Sequence, residues 1–203
     1  NENNVTIITG GPGTGKSTTM KEIGQFYKEK EYDVEYIHCS SDPDSLDGVI
    51  IRKIGVGIVD GTAPHVIEPK VVGAIEEYVN LGTAWDIEKL EKQVEQIREL
   101  QDKIAACYPK AYEAFAKALS IHDEWEKIYI RAMSFEKADK LAEEVCDMLF
   151  KGAVKENDVS KQGITRHRFF GGSTPKGAMD YVDNITQTCG KRYFIKGRPG
   201  AGK

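Results

Sequence analysis

Cysteine is scarce in this chain: Cys39, Cys107, Cys146 and Cys189 stand far apart, with no C-x-x-C pair and no histidine at zinc-ligand spacing. That excludes a disulfide-dense scaffold and a zinc ribbon, and it fits reduced thiols of the cytoplasmic kind. Long apolar runs are missing too, so no membrane-crossing helix is expected. No secretory signal is visible, although a chain whose first residue is Asn1 rather than Met leaves a trimmed leader open. Positive charge is not in excess, since 28 Lys and Arg face 32 Asp and Glu for a net charge of -4. A general nucleic-acid binder needs the opposite balance to hold phosphate backbones. What is present, 203 residues with 40% hydrophobic and 30% charged content, suffices for a soluble domain with its own core.

The most informative stretch is Val5 to Met20, VTIITGGPGTGKSTTM, which contains the pattern G-x-x-x-x-G-K-[ST] from Gly10 to Ser17. Glycines at 10, 11, 13 and 15 let the backbone turn tightly and bring successive N–H groups to phosphate oxygens. The expected binding residues are Gly11, Pro12, Gly13, Thr14, Gly15, Lys16, Ser17 and Thr18. Lys16 reaches for the β- and γ-phosphates, Ser17 offers its hydroxyl to Mg²⁺, and Thr18 meets the α-phosphate at the helix start, where the dipole favours negative charge. A β-branched run (Val5, Ile7, Ile8) leads in. A helix from Lys16 to Lys30 leads out, with Met20, Ile23, Phe26 and Tyr27 on one side.

Asp33 to Cys39 alternates as a second strand and runs into SSDPDSLDG, Ser40 to Gly48. A loop leaving a strand's carboxyl end lies on the ligand rim of a doubly wound fold. Asp42 and Asp44 are therefore candidates for substrate binding, water positioning or contact with metal-bound water, with helix or turn capping as the structural alternative. Val49 to Ile54 reads as a short strand or edge ribbon. Gly55 to Asp60, GVGIVD, is an apolar run ending in a carboxylate, the pattern of a buried strand that delivers an Asp to hold Mg²⁺. Many motor-type ATPases follow that Asp with a water-activating Glu, but Gly61 stands here. A hydrolytic base must come from elsewhere, and His65 is a candidate to orient water or phosphate, alongside a purely structural role.

Pro69 to Leu81 reads as helical. From Asp86 the chain changes character, with Ile87, Leu90, Val94, Ile97, Ile104 and Tyr108 at three-four spacing. Pro109 breaks or restarts the helix, a second follows through Trp125, and Ser134 is placed to cap a third that ends near Gly152. Residues 86–152 are thus expected to form an inserted helical hairpin or bundle whose aromatics pack its own core, and which serves as a candidate lid or partner arm. After a polar linker, Ile164 to Phe170 reads as a strand, Gly171 to Gly177 as a loop, and Pro175 to Cys189 as a helix. Arg166, Arg168 and Lys176 are candidates for phosphate charge stabilisation, with salt bridges as the alternative for the arginine pair, and Ser173 and Thr174 for sensing a γ-phosphate or binding substrate. Arg192 to Lys203, RYFIKGRPGAGK, repeats the first motif, with Gly197, Pro199 and Lys203 matching Gly10, Pro12 and Lys16. It stops before the Ser or Thr that meets Mg²⁺, so the chain reads as a piece of a longer protein. Arg192 to Lys196 is expected to complete the first sheet.

The stretches GGPGTGKST, HCSSDPDSLDGV, VDGTAPH, RFFGGSTPKG and the second GRPGAGK together resemble a bacterial family of tandem P-loop ATPases, in which two nucleotide-binding modules share one polypeptide. The likeness covers essentially the whole chain. It implies ATP binding and a cytoplasmic location, and names no substrate. The expected fold is α/β, a P-loop NTPase three-layer sandwich with a mainly parallel sheet and an inserted α-helical hairpin or bundle. Residues 1–85 and 153–196 would be the core, 86–152 the insertion, and 197–203 the start of a second, truncated module.

Three functions are weighed. The first is Mg²⁺-dependent ATP hydrolysis, with Lys16 stabilising the transferring phosphoryl group, Ser17 and Asp60 holding the metal, and Asp42 or His65 positioning water. The second is a small-molecule or nucleotide kinase whose acidic loop 40–48 orients an acceptor hydroxyl. The third is a nucleotide-controlled module whose helical insertion binds a protein partner with little turnover. No N-K-x-D or T-K-x-D guanine-reading motif occurs, which favours ATP over GTP, and no L-S-G-G-Q signature is present.

Overall fold

The computed structural model describes residues 4–63, 66–151 and 167–201. The chain divides into two compact units, Asn1–Leu90 with Arg166–Arg192, and Glu91–Thr165 with Tyr193–Lys203.

The first unit is built on a five-stranded mixed sheet. Strand β1 (Asn4–Thr9) leads through the glycine turn into helix α1 (Lys16–Glu29), then β2 (Val34–His38), β3 (Leu46–Ile51), β4 (Val56–Asp60) and β5 (Glu76–Asn80) follow. The order across the sheet is β2-β3-β4-β1-β5. Strand β1 pairs in parallel with β4 and with β5, whereas β3 runs antiparallel to both neighbours. The three strands β2, β3 and β4 therefore form a meander, and β3 is internal rather than an edge ribbon. Ile7, Ile8, Met20, Val34, Leu46, Val49, Ile51 and Ile58 make the buried core. Ile8, Val34, Leu46, Val49, Ile51 and Ile58 pack with Met20 of α1 as one cluster, while Ile7, the neighbour of Ile8 in β1, faces the other side of the sheet.

Five expected elements come out differently. Pro69 to Leu81 is not helical: it ends in β5, which takes Val5 to Thr9 as ladder partners from Glu76 to Asn80. The hydrogen bonds offered by the free side of β1 outweigh the helix preference of Glu76 and Glu77. The stretch Gly171 to Cys189 is not loop plus helix. It forms a hairpin of β6 (Gly171–Thr174) and β7 (Gly177–Asp180), then a single helical turn, α6 (Val182–Ile185) in element order after the insertion's helices. Gly177, at φ 102°, supplies a turn conformation that a helix start has no use for. Residues 167–170 and 192–196 are not strands, so neither joins the sheet; Tyr193, Phe194 and Ile195 are exposed. Residues 164–166 of the expected strand, Arg166 among them, lie outside the described residues.

The second unit is helical, with α3 (Val94–Ala105), α4 (Cys107–Ala132) and α5 (Phe135–Phe150); α2 (Ile87–Glu91) precedes them. Pro109 falls in the first turn of α4, where its missing N–H breaks no bond, so the helix runs through it. Ser134 caps α5, its hydroxyl accepting from the Lys137 N–H at 3.4 Å. None of the residues of α3, α4 or α5 is buried, and the aromatics instead meet neighbours on their own helix, as Trp125 does Tyr129 at 5.7 Å. The expected self-packed aromatic core is therefore not what these helices show. Among the described residues no helix is long and apolar enough to cross a membrane.

Candidate functional site

The turn between β1 and α1 is shaped by its glycines. Gly13 and Gly15 take left-handed φ values of 78° and 87°, and a Cβ at either would meet nothing within 4 Å. No other part of the chain crowds the turn at these two positions. Gly15 is the N-cap of α1 and supplies no side-chain cap, and no acidic residue occupies the first helical turn. The helix start thus keeps its N–H groups and its positive dipole end for an anion from outside. Thr14 steadies the turn by donating to the Gly11 carbonyl at 2.9 Å.

Lys16 folds back over this turn. Its Nζ donates to the Gly10 carbonyl at 2.6 Å and to the Gly11 carbonyl at 3.2 Å. It also stands 3.7 Å from Asp60 Oδ2, with both side chains largely shielded. The sheet explains the encounter: β4 lies beside β1 in parallel with Ile8 opposite Asp60, so both strands end at the same rim. Thr62 completes the arrangement. Its N–H donates to Asp60 Oδ1 at 2.8 Å, and its hydroxyl donates to the Gly10 carbonyl at 2.9 Å. The carboxylate is thereby fixed to the turn it faces.

Ser17 accepts from the Leu46 N–H at 3.0 Å, which uses one lone pair and leaves another. With Asp60 Oδ2 it offers the hard oxygen donors that suit Mg²⁺, which takes few protein ligands and keeps water and phosphate oxygens for the rest. Those residues fit the metal that the sequence implies.

The acidic loop is held against this site from three directions. Lys21 of α1 donates to the Asp44 carbonyl, Lys176 from the β6–β7 turn pairs with the Asp44 carboxylate, and the Tyr181 hydroxyl donates to the Pro43 carbonyl at 3.3 Å. Asp42 is committed to the loop itself. It accepts from the Ser45 hydroxyl at 2.7 Å and from the Asp44 N–H at 3.1 Å, and these bonds hold its carboxyl below the usual range. The pairing with Asp44 pushes the Lys176 ammonium up. At the end of β2, the His38 ring stacks on Tyr181 with centroids 3.6 Å apart; burial lowers its pKa, assisted by Lys21 and opposed by the Pro43 carbonyl and Asp47. Beside it runs a groove of about 570 Å³ bounded by His38, Ser40, Ser173, Thr174 and Tyr181. Glu35 and Arg168 also line the groove, and the buried Glu35 carboxylate is shared by Arg52 and Arg168, so Arg168 serves a structural ion pair.

Lys16 and Asp60 are thus brought together beside the turn formed by Gly11, Pro12, Gly13, Thr14 and Gly15, with Ser17 and Thr18 in the first turn of α1. Asp42 sits in the loop whose end touches Ser17, but its oxygens are engaged locally. His65 lies outside the described residues. Sequence reasoning missed Thr62 and Trp85. Thr62 had a signal, because a Thr two residues after Asp60 is placed for an Asx-type turn. Trp85 had none, since its position depends on β5 lying beside β1. No protein-family model, no curated protein and no solved structure matches this chain.

Proposed function

We propose that this chain is an ATP-binding P-loop NTPase of the cytoplasm, with an α/β sandwich as its core, and that it carries out Mg²⁺-dependent ATP hydrolysis. The observation that carries this reading is the convergence of Lys16 Nζ, the Gly10 and Gly11 carbonyls and Asp60 Oδ2 at the mouth of an uncapped glycine turn. The open amides would cradle the phosphates, and Lys16 would turn from Asp60 towards the β- and γ-oxygens. Ser17 and Asp60 would hold Mg²⁺, which supplies charge neutralisation on the transferring phosphoryl group. The chain's own contribution is positioning and fixed charge rather than covalent chemistry.

Transfer to a small-molecule acceptor is the second reading, and the groove beside His38 favours it. It lies at the carboxyl end of β2, next to a loop that reaches Ser17, and its volume is that of a small-molecule site. Calorimetry with ATP and Mg²⁺ tests the shared premise, and binding that disappears in Lys16→Ala and falls in Asp60→Asn is expected. Phosphate release without an added acceptor then supports hydrolysis. ATP consumption that starts only with one metabolite, recovered in phosphorylated form, supports the kinase. Absence of binding heat in the unaltered protein would refute both.

A further inference from the structure

The end of β5 is the second element that reaches the glycine turn. Asn80 stands opposite Thr9 in the ladder. Asn80 Oδ1 accepts from the Gly82 N–H at 2.8 Å, and the Thr83 hydroxyl donates to the Asn80 carbonyl at 3.0 Å. These bonds wind Leu81–Ala84 into one 3₁₀ turn, which delivers Trp85. The indole then lies across two glycines. A Cβ on Gly11 would come within 2.7 Å of Cη2 and 2.9 Å of Cζ2, and one on Gly82 within 3.2 Å of Cε3 and Cζ3. Any larger residue at position 11 would therefore displace the ring. Trp85 nonetheless keeps 39% of its surface exposed.

Which end of a bound nucleotide this wall meets follows from Lys16. Its ammonium marks the β- and γ-phosphate end, and it is held by the carbonyls of Gly10 and Gly11. The α-phosphate belongs at the start of α1, on the other side of the turn. A ring packed on Gly11 is thus at the terminal-phosphate end and away from the base.

Resting on the nucleotide reading above, we propose that Trp85 is the specificity-determining wall for the terminal phosphate: it distinguishes nucleoside triphosphate from diphosphate and keeps bulk water from that end. The indole brings an apolar face and one N–H donor, which suits it to both tasks.

The chain contains two tryptophans, Trp85 and Trp125, so Trp125→Phe leaves a single reporter. That variant is titrated with Mg²⁺ and a non-hydrolysable ATP analogue, and separately with Mg²⁺ and ADP, with calorimetry run in parallel. The emission of Trp85 is expected to shift with the analogue and far less with ADP. Trp85→Ala is expected to weaken analogue binding about tenfold, the scale of one lost contact to a charged group, while ADP binding stays within about twofold. Nucleotide heats accompanied by an unchanged Trp85 emission, or an unchanged ratio of analogue to ADP affinity in Trp85→Ala, would overturn the proposal while leaving the nucleotide site standing. Absence of heat from the unaltered protein would remove the nucleotide site and the wall together. The emission titration keeps Trp85 intact and so decides the matter even where Trp85→Ala does not fold.

Discussion

Gly61→Ala tests the packing beneath the site. The Gly61 N–H donates to the Ile8 carbonyl at 2.9 Å and so extends the β4–β1 ladder by one residue. A Cβ at this position would approach Ile7 Cγ2 more closely than the 3.0 Å that Cβ atoms keep in real proteins, and Ile7 is 0% exposed. Carbons in contact settle near 3.5–4.0 Å, so Ile7 or the strand must retreat by roughly 1 Å. Overpacking of this kind costs about 1–3 kcal/mol. Alanine's smaller unfolded-chain entropy offsets about 0.4–1 kcal/mol of it. The net loss is then about 1–2 kcal/mol, or roughly 2–8 °C in Tm for a chain of this size. Urea unfolding of Gly61→Ala, Ile7→Ala and the double variant isolates the cause. Ile7→Ala by itself costs about 2–5 kcal/mol but removes Cγ2, so adding Gly61→Ala to it is expected to cost nothing further, a coupling of about 1–2 kcal/mol. A Gly61→Ala protein as stable as its parent, or one that loses the same amount in both backgrounds, refutes the reasoning. If the coupling holds, position 61 is closed to any larger side chain by the core residue Ile7 of β1.

Two further outcomes follow from the same unit. His38 has a folded pKa below its ordinary 6.5, chiefly through burial, so the unfolded chain takes up the proton first. Stability is expected to be full above about pH 7 and to fall as pH drops through 6.5 towards the folded value, and His38→Phe should flatten urea midpoints across that window; an identical slope in the variant would show that another group is responsible. Glu35→Ala leaves Arg52 and Arg168 without their shared carboxylate, whose side chain is 4% exposed. Because the arginines are 25% and 38% exposed, the expected loss is about 1–3 kcal/mol, under the 3–5 of a fully buried pair, and a urea midpoint shift worth less than about 0.5 kcal/mol would place both guanidinium groups on solvent instead.

What local sequence determined here is what depends on neighbours along the chain. The glycine spacing from Gly10 to Gly15 dictates a turn that only glycine conformations close, and Lys16 to Glu29 follows as a helix because its apolar residues repeat at helical spacing. The alternating run ending at His38 and the apolar run ending at Asp60 are strands for the same kind of reason, and Ser134 caps the helix that begins beside it. Tertiary structure decided the rest, because those choices turn on partners distant in sequence. Glu76 and Glu77 favour a helix and Tyr78 and Val79 a strand, and the segment becomes a strand because β1 offers an unpaired ladder on that side. The same pairing sets Trp85 against Gly11, while the β1–β4 register sets Asp60 against Lys16. A motif can therefore prescribe the glycine turn, but the groups that close on it are chosen by which strands lie on either side of β1, and hydrogen bonds between strands carry no local signature.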